Sequence, residues 1–259
     1  MRRALLFLAI IILSLAFSCA KKKDRMTILT ENYPPLSYIQ DGQVTGYGTE
    51  VVEAIQAELG IDFTPRIKSW DEAYEKALNE PNVVIYTIEK TPARAGKFYF
   101  IGPLGANTAS FYALRDNDLE LATLEDARAV ETIATTKNWF TEQYLREQGF
   151  TNLLSCETPY ENIDMLLNKE AELAPFTDVT YPELAKAAGI DPSELKPVLK
   201  LFSSEYYIAL SSKTDPQIIL DWEQAFATIE KDGTLQQIRE KWFPPIEESS
   251  ENESPVDFN

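Results

Sequence analysis

Five polar or aromatic residues lie in the loops that follow predicted strands, and these side chains are the best placed for binding or chemistry. They are Tyr33, Trp70, Arg94, Asn138 and Asp178. Ligands of α/β proteins bind in the crevice beyond the carboxyl ends of parallel strands. The loops that hold these five residues are therefore where a functional site is expected.

Arg94 belongs to a distinctive local pattern, Thr91-Pro92-Ala93-Arg94, which joins a helix N-cap residue to a proline at the first helical position. The pattern predicts a helix with Arg94 in its first turn. A cation is unfavourable there, whereas an anion would meet free backbone N–H groups and the guanidinium together. An arginine paired with a nearby carboxylate fits the spacing equally well, so both interpretations stay open.

The composition excludes several kinds of active site. The 259 residues contain no histidine, which rules out Ser-His-Asp and Cys-His catalysis and histidine-ligated zinc. The formal net charge of −17 argues against nucleic-acid binding, which needs a basic face. No cofactor and no metal site is expected. A hydrophobic content of 44% is that of a globular protein.

The N-terminus has the features of a secretory signal, with Arg2 and Arg3 before an apolar run that is too short to span a membrane comfortably. The run ends in Leu15-Ala16-Phe17-Ser18-Cys19, which resembles a bacterial lipobox although Ala16 stands where leucine is usual. We expect a signal peptide over 1–18, lipidation of Cys19 and a linker to 24. A plain signal peptide is the alternative.

The second cysteine and the C-terminus carry simpler expectations. If Cys19 is lipidated, Cys156 has no partner for a disulfide and is expected to be a small buried residue.

Residues 246–259 hold five acids and no base, which indicates a disordered acidic tail.

Between these ends, short apolar strands alternate with capped helices, a pattern typical of α/β folds. Helices are expected to begin at Ser-Trp-Asp-Glu, Thr-Pro or Asp-Pro motifs, at Ser69, Thr91, Thr158 and Asp191 among others. The predicted strands are 26–30, 61–67, 82–88, 110–114, 130–135, 173–176 and 206–210.

Several stretches, in this order, resemble the bacterial extracellular solute-binding proteins of family 3, which include the polar amino-acid binding proteins of ABC importers. The resemblance runs from about Met26 to Pro244. The matching stretches are Tyr33-Pro34-Pro35-Leu36-Ser37-Tyr38, Gly46-Tyr47, Leu59-Gly60, Ser69-Trp70-Asp71, Thr91-Pro92-Ala93-Arg94 and Asp232-Gly233-Thr234-Leu235.

The resemblance implies a two-lobed type II periplasmic-binding-protein fold, an α/β fold of two mixed, mostly parallel sheets with helices on both faces. Two crossing segments, near 110–114 and 203–208, would form the hinge. Lobe 1 is expected to comprise 25–110 plus 206–245, and lobe 2 residues 111–205.

The resemblance also implies roles for residues. Arg94 matches the arginine that clamps a ligand α-carboxylate, and Asp178 the acid that takes the α-ammonium, although Asp178 could be only a helix cap. Tyr33 would cover the ligand, with Trp70 as a second wall. A zwitterion bound to both Arg94 and Asp178 would join the lobes and favour closure.

Two positions depart from the family pattern. Glu89 stands where a small residue is usual; it could pair with Arg94, select a second positive group, or lie in solvent. Asn138-Trp139 replaces a Gly-Ser/Thr pair and suggests a bulkier wall. Thr87 completes the expected ligand-binding set.

The sequence thus favours a non-enzymatic, extracytoplasmic solute-binding lipoprotein in the periplasm or at the cell surface. It would capture an amino-acid-like zwitterion and deliver it to the membrane permease of an ABC importer. We expect a monomer, held to the membrane by lipid alone, with no nucleic-acid partner. A sensory receptor and a dehydratase on the same scaffold are the alternatives.

Overall fold

The computed structural model describes residues 26–244. The expectations for the signal peptide, for Cys19 with its linker and for the tail at 246–259 lie outside this range. Within it, no helix combines the length and the apolar character needed to cross a membrane.

Ten strands and eight α-helices make up the described residues. The strands are β1 (Thr27–Thr30), β2 (Tyr38–Gln40), β3 (Gln43–Thr45), β4 (Arg66–Ile67), β5 (Val83–Glu89), β6 (Phe98–Leu114), β7 (Ile133–Thr136), β8 (Leu153–Cys156), β9 (Ala174–Thr177) and β10 (Leu195–Ser211). The helices are α1 (Tyr47–Leu59), α2 (Trp70–Asn79), α3 (Leu124–Arg128), α4 (Phe140–Glu147), α5 (Pro159–Leu167), α6 (Tyr181–Ala187), α7 (Pro216–Lys231) and α8 (Thr234–Trp242).

A six-stranded mixed sheet runs through the molecule in the order β4-β1-β5-β10-β6-β9. β1 pairs in parallel with β4 and β5, whereas β10 pairs antiparallel with both β5 and β6. A smaller parallel pair, β7-β8, lies beyond β9. The carboxyl ends of β1 and β5 therefore meet at one edge, as the sequence pattern predicts.

The two longest strands connect the two ends of the molecule. β6 and β10 each have 17 residues, and their pairing runs from Leu195 opposite Leu114 to Ser211 opposite Phe98. The predicted strands 110–114 and 206–210 are only parts of these elements. The ladder is interrupted by irregularities, one of them between Pro197 and Leu199, because proline cannot donate a ladder hydrogen bond.

Three local predictions are corrected by the structure. The predicted strand 61–67 shrinks to β4, a strand of two residues. Thr91-Pro92 starts no helix: residues 92–97 form turns, in which the N–H groups of Arg94 and Ala95 both donate to the carbonyl of Thr91. The Asp191 motif opens only a short 3₁₀ turn.

Other helix starts are confirmed. The Ser69 hydroxyl accepts from the N–H of Glu72 at the start of α2, and the Thr158 hydroxyl accepts from the N–H of Glu161 at the start of α5. Each cap satisfies an N–H group that the helix itself cannot pair. The caps fix where α2 and α5 begin.

Candidate functional site

A small cavity of about 10 Å³ lies at the edge where β1 and β5 end. Such a volume holds no more than about one water. The lining consists of three charged residues, Glu31, Glu89 and Arg94, and four aromatic residues, Tyr33, Trp70, Trp139 and Phe140. Five predicted site residues therefore come together here: Tyr33, Trp70, Glu89, Arg94 and Trp139.

Glu89 reaches this cavity because of an irregularity in β5. Glu89 and Ile88 face Tyr206 and Tyr207, but the next partner pair is Tyr86 with Ile208, so Thr87 has no opposite residue. Thr87 takes a φ of 60°, which is costly for a β-branched side chain. A bulge of this kind re-aims the residues that follow it, and here it precedes the buried Glu89.

Arg94 is held by Glu89 and Trp70. Its side chain is 1% exposed, and its Nη1 lies 3.8 Å from Oε2 of Glu89 and donates to the Glu89 carbonyl at 3.2 Å. The guanidinium stacks 4.7 Å from the ring centre of Trp70. Its Nε is buried without a hydrogen-bond partner. Arg94 thus has a counter-ion, a stacking surface and one unused donor.

Glu31, the first residue after β1, contributes the second carboxylate. Among residues 26–244, no lysine or arginine pairs with it. Burial raises its pKa to about 8, with a further contribution from Glu89, while Arg94 and a hydrogen bond from Trp139 act in the opposite direction. Glu31 is thus a carboxyl group that titrates near neutral pH.

The pKa of Glu89 is also raised, although Arg94 lies beside its carboxylate. Burial raises its pKa to about 7, against the attraction of Arg94 and hydrogen bonds that include one from Asn107. Burial also lowers the pKa of Arg94, although Glu89 opposes this shift and arginine stays charged at any ordinary pH. The cavity therefore combines one permanent cation with two carboxyl groups that can hold protons.

The inner cavity lies in a cleft, with Tyr33, Trp70 and Asp71 on one side and Asn138 and Trp139 on the other. Direct contacts join the two sides. The Asn138 amide donates to Oδ1 of Asp71 at 2.8 Å, and the Trp70 indole donates to the Asn138 carbonyl at 3.2 Å. Tyr33 meets Trp139 edge-on at 4.8 Å between ring centres. We call Trp70, Asp71 and Asn138 the cleft latch.

Buried Glu142 shapes the turn that carries Asn138. Its carboxylate accepts from the Asn138 N–H at 2.7 Å and also from Ser155 and Arg146. Asn138 takes a φ of 59°, a left-handed conformation that asparagine tolerates better than most residues. The carboxylate thus fixes the backbone from which the latch amide projects.

A wider chamber of about 200 Å³ adjoins the inner cavity and shares Glu31, Trp70 and Trp139 with it. Its outer walls carry charges of both signs. Lys137 lies 3.3 Å from Glu157 and 3.8 Å from Asp71, so this cation already has partners. A ligand held in the inner cavity could extend into this chamber.

Three predicted site residues do not line the inner cavity: Asn138, which belongs to the cleft latch, and also Thr87 and Asp178. Thr87 packs towards α1, where a Cβ on Gly48 would come within 2.4 Å of its methyl group. Asp178 is exposed, and its Oδ1 accepts from the Thr108 N–H at 2.8 Å on β6. Its neighbour Thr177 is the one that faces the cleft, 3.4 Å from the Tyr33 hydroxyl.

Glu31 and Phe140 are cavity residues that the sequence analysis missed. Glu31 directly follows a predicted strand, so the rule that selected Tyr33 also covers it. Phe140 adjoins Trp139 at the start of α4 but has the pattern of an ordinary helix-core residue. In the described part of the chain, no group of three or more His, Cys, Asp or Glu residues is arranged to hold a metal ion.

The sequence model of the bacterial extracellular solute-binding proteins, family 3, matches residues 26–245. The chain belongs to this family. Membership agrees with the order of motifs and with the α/β sheet described above.

Two characterised family relatives bind amino acids or their derivatives, as their names state. The L-cystine-binding protein TcyJ of Escherichia coli (strain K12) is 22% identical over 231 residues, covering 86% of this chain and 85% of that protein. The amino-acid-binding protein AabA of Dichelobacter nodosus is 24% identical over 229 residues, covering 83% and 87%.

Solved structures share the fold. A histidine kinase sensor domain with similarity to periplasmic binding proteins superposes with a TM-score of 0.77 at 24% identity, covering 85% of this chain and 96% of that one. The ancestral amino acid-binding protein AncCDT-1, a precursor of cyclohexadienyl dehydratase, gives 0.72 at 21% identity, covering 86% and 96%. The periplasmic-binding-protein fold is therefore confirmed.

The raised pKa of Glu31 predicts a pH-dependent stability. The unfolded chain releases this proton near pH 4.5 and the folded protein near pH 8, so the folded state binds more protons in between. This group therefore lowers the free energy of unfolding as pH rises through that window. We expect Glu31→Gln to raise the melting temperature more at pH 8.5 than at pH 5, measured by calorimetry.

The exposed residue Glu120 provides the matched control, because Glu120→Gln removes one carboxylate outside the cleft. A melting-temperature difference between wild type and Glu31→Gln that stays constant from pH 5 to pH 8.5 would contradict the prediction.

Proposed function

We propose that this protein is an extracytoplasmic solute-binding lipoprotein that captures a small amino-acid-like zwitterion between two lobes and delivers it to a membrane importer. Family membership supports solute binding in general. Three parts of the proposal go beyond what family membership supports: the zwitterionic ligand, the lipid anchor at Cys19 and delivery to an importer.

The observation that carries the proposal is the state of Arg94. A guanidinium that is 99% buried is costly unless its donors are used, yet its Nε has no partner. A ligand carboxylate is the acceptor best matched to an arginine fork in an aromatic-walled cavity. Arg94 is therefore assigned the α-carboxylate, with Tyr33, Trp70 and Trp139 as apolar walls.

Two carboxylates compete for the ligand ammonium. Asp178 is the choice by family resemblance, but its carboxylate is bound to the backbone of Thr108. Glu31 lies in the same cavity as Arg94 and has no ion-pair partner among residues 26–244. We assign the ammonium to Glu31, because an unpaired carboxylate gains most from a cation.

The proposed lobes are 25–110 plus 206–245 for lobe 1, and 111–205 for lobe 2. β6 and β10 run from one to the other and would act as the hinge. Because the inner cavity holds about 10 Å³, a ligand of amino-acid size can enter only if the lobes move apart. The cleft latch joins Trp70 and Asp71 of lobe 1 to Asn138 of lobe 2 and would favour the closed form.

A sensory role is the alternative to transport. The sensor-domain structure shares the fold, and the cleft serves both roles equally well. Neighbouring genes separate the two: a permease and an ATPase gene support import, whereas a kinase gene supports sensing.

The role of Arg94 can be tested by titrating the protein with the common amino acids in isothermal calorimetry. We expect Arg94→Ala to weaken binding of the best ligand by about 100-fold, because a charge-assisted pair in a closed cavity is lost. Arg94→Lys keeps the charge but not the fork, and we expect a loss of about 10-fold.

Both variants are compared with Arg128→Ala, which removes an arginine from lobe 2 outside the cleft. If no amino acid binds the wild type, or if Arg94→Ala binds as tightly as wild type, the zwitterion assignment is wrong.

If the cleft latch favours the closed form, removing the Asn138 side chain should weaken both closure of the proposed lobes and ligand binding. Asn138→Gly keeps a left-handed turn but removes the amide that donates to Asp71. One hydrogen bond is worth about 1 kcal/mol, so we expect ligand affinity to fall about five-fold. Small-angle X-ray scattering should show a larger radius of gyration at equal ligand concentration.

Lys169→Gly is the matched control, because Lys169 also has a φ of 60° but lies outside the latch. Equal effects of the two glycine substitutions would mean that backbone freedom, and not the latch, controls closure.

A dehydratase is favoured as a second candidate by one observation, the two carboxyl groups with raised pKa in one cavity. Such an acid could protonate a departing hydroxyl of prephenate, which would leave as water while the ring carboxylate leaves as carbon dioxide. Phenylpyruvate formation that is lost in both Glu31→Gln and Glu89→Gln would establish it. Absence of product at high protein concentration would exclude this reaction.

A further inference from the structure

The inner cavity contains more acid than base. Its charged groups are the carboxylates of Glu31 and Glu89 and the guanidinium of Arg94, and its remaining walls are aromatic. A simple zwitterion carries one carboxylate and one ammonium. With both carboxyl groups ionised, a bound zwitterion would leave one carboxylate of the protein without a counter-charge, which is costly in a closed, poorly solvated site.

The pairing of Glu89 with Arg94 determines which carboxylate is left over. The two side chains are 5% and 1% exposed and lie 3.8 Å apart. A ligand carboxylate that binds the guanidinium draws it away from Glu89 and weakens that pair. Glu89 then needs a cation from the ligand, while Glu31 already needs one.

The aromatic walls of the inner cavity also favour a cationic ligand. Trp70 already stacks on one guanidinium, and Trp139 and Tyr33 present further aromatic rings to the same cavity. Aromatic faces attract ammonium and guanidinium groups, most strongly where water is excluded. Burial is the main cause of the raised pKa values of Glu31 and Glu89, and a cation placed beside either carboxylate would stabilise its charged form.

We infer that the cleft selects a ligand with two cationic groups and one carboxylate, and that Glu31 and Glu89 determine this selection. The inference rests on the proposed zwitterion binding and deepens it. The two cations of such a ligand match the carboxylates of Glu31 and Glu89, and its carboxylate matches the guanidinium of Arg94. Glu89, at the end of a bulged strand, is thereby a specificity residue that accepts the second cation.

Isosteric ligand pairs test the inference. Arginine is compared with citrulline and lysine with norleucine, because each pair has nearly the same shape and differs in the side-chain cation. Calorimetric titration of the full-length protein at pH 8 is expected to give at least ten-fold tighter binding of the charged member of at least one pair. In Glu89→Gln and Glu31→Gln the same ratio is expected to fall below three-fold.

Glu120→Gln removes an exposed carboxylate outside the cleft and is expected to leave the ratio at the wild-type value. Circular dichroism checks the folding of each variant. Glu31 is less buried than Glu89, so Glu31→Gln carries the test alone if Glu89→Gln is unfolded.

The outcomes separate this inference from the proposed function. Neutral amino acids that bind as tightly as their charged partners would overturn the inference and leave zwitterion binding intact. A preference that survives in both glutamine variants would also overturn it. If no amino acid in a full panel binds, the proposed function fails and the inference falls with it.

Discussion

The antiparallel ladder between β6 and β10 is the constraint on which the rest of the structure depends. These strands are the longest in the described chain, and they join the sheet edge that carries Glu31 and Glu89 to the β9 edge near Asp178. β10 also pairs with β5 on its other side, and that second pairing fixes the register at which β5 bulges at Thr87. The two pairings of β10 thus set the proposed hinge and the direction of Glu89.

Much of the fold was predictable because local signals agree with it. The predicted N-cap residues Ser69 and Thr158 start real helices, and the side chain of each accepts a backbone N–H of the first turn. The full length of β6 and β10 was not predictable, because Gly102, Pro103 and Pro197 are residues that usually end strands. Thr91-Pro92 looked like a helix start but forms turns, so the case for Arg94 as an anion binder depends on its burial and unused donor.

Part of the site was predictable for a similar reason. Tyr33, Trp70, Arg94 and Trp139 converge because strand ends in an α/β sheet converge. The burial of Glu89 beside Arg94 required the bulge at Thr87, which no residue pattern announces. The exposed position of Asp178 depends on a tertiary hydrogen bond to Thr108, and local sequence carries no sign of that bond.

The short sequence distance between Glu89 and Arg94 has a kinetic consequence. Both residues, with Trp70 and Tyr74 stacked on the guanidinium, come from one continuous stretch of the chain, 70–94, in the proposed lobe 1. This group can form without Trp139 and its neighbours. Encounter with a ligand would then be governed by lobe 1, whose charges are already oriented, and residence time by how long Trp139 keeps the cavity covered.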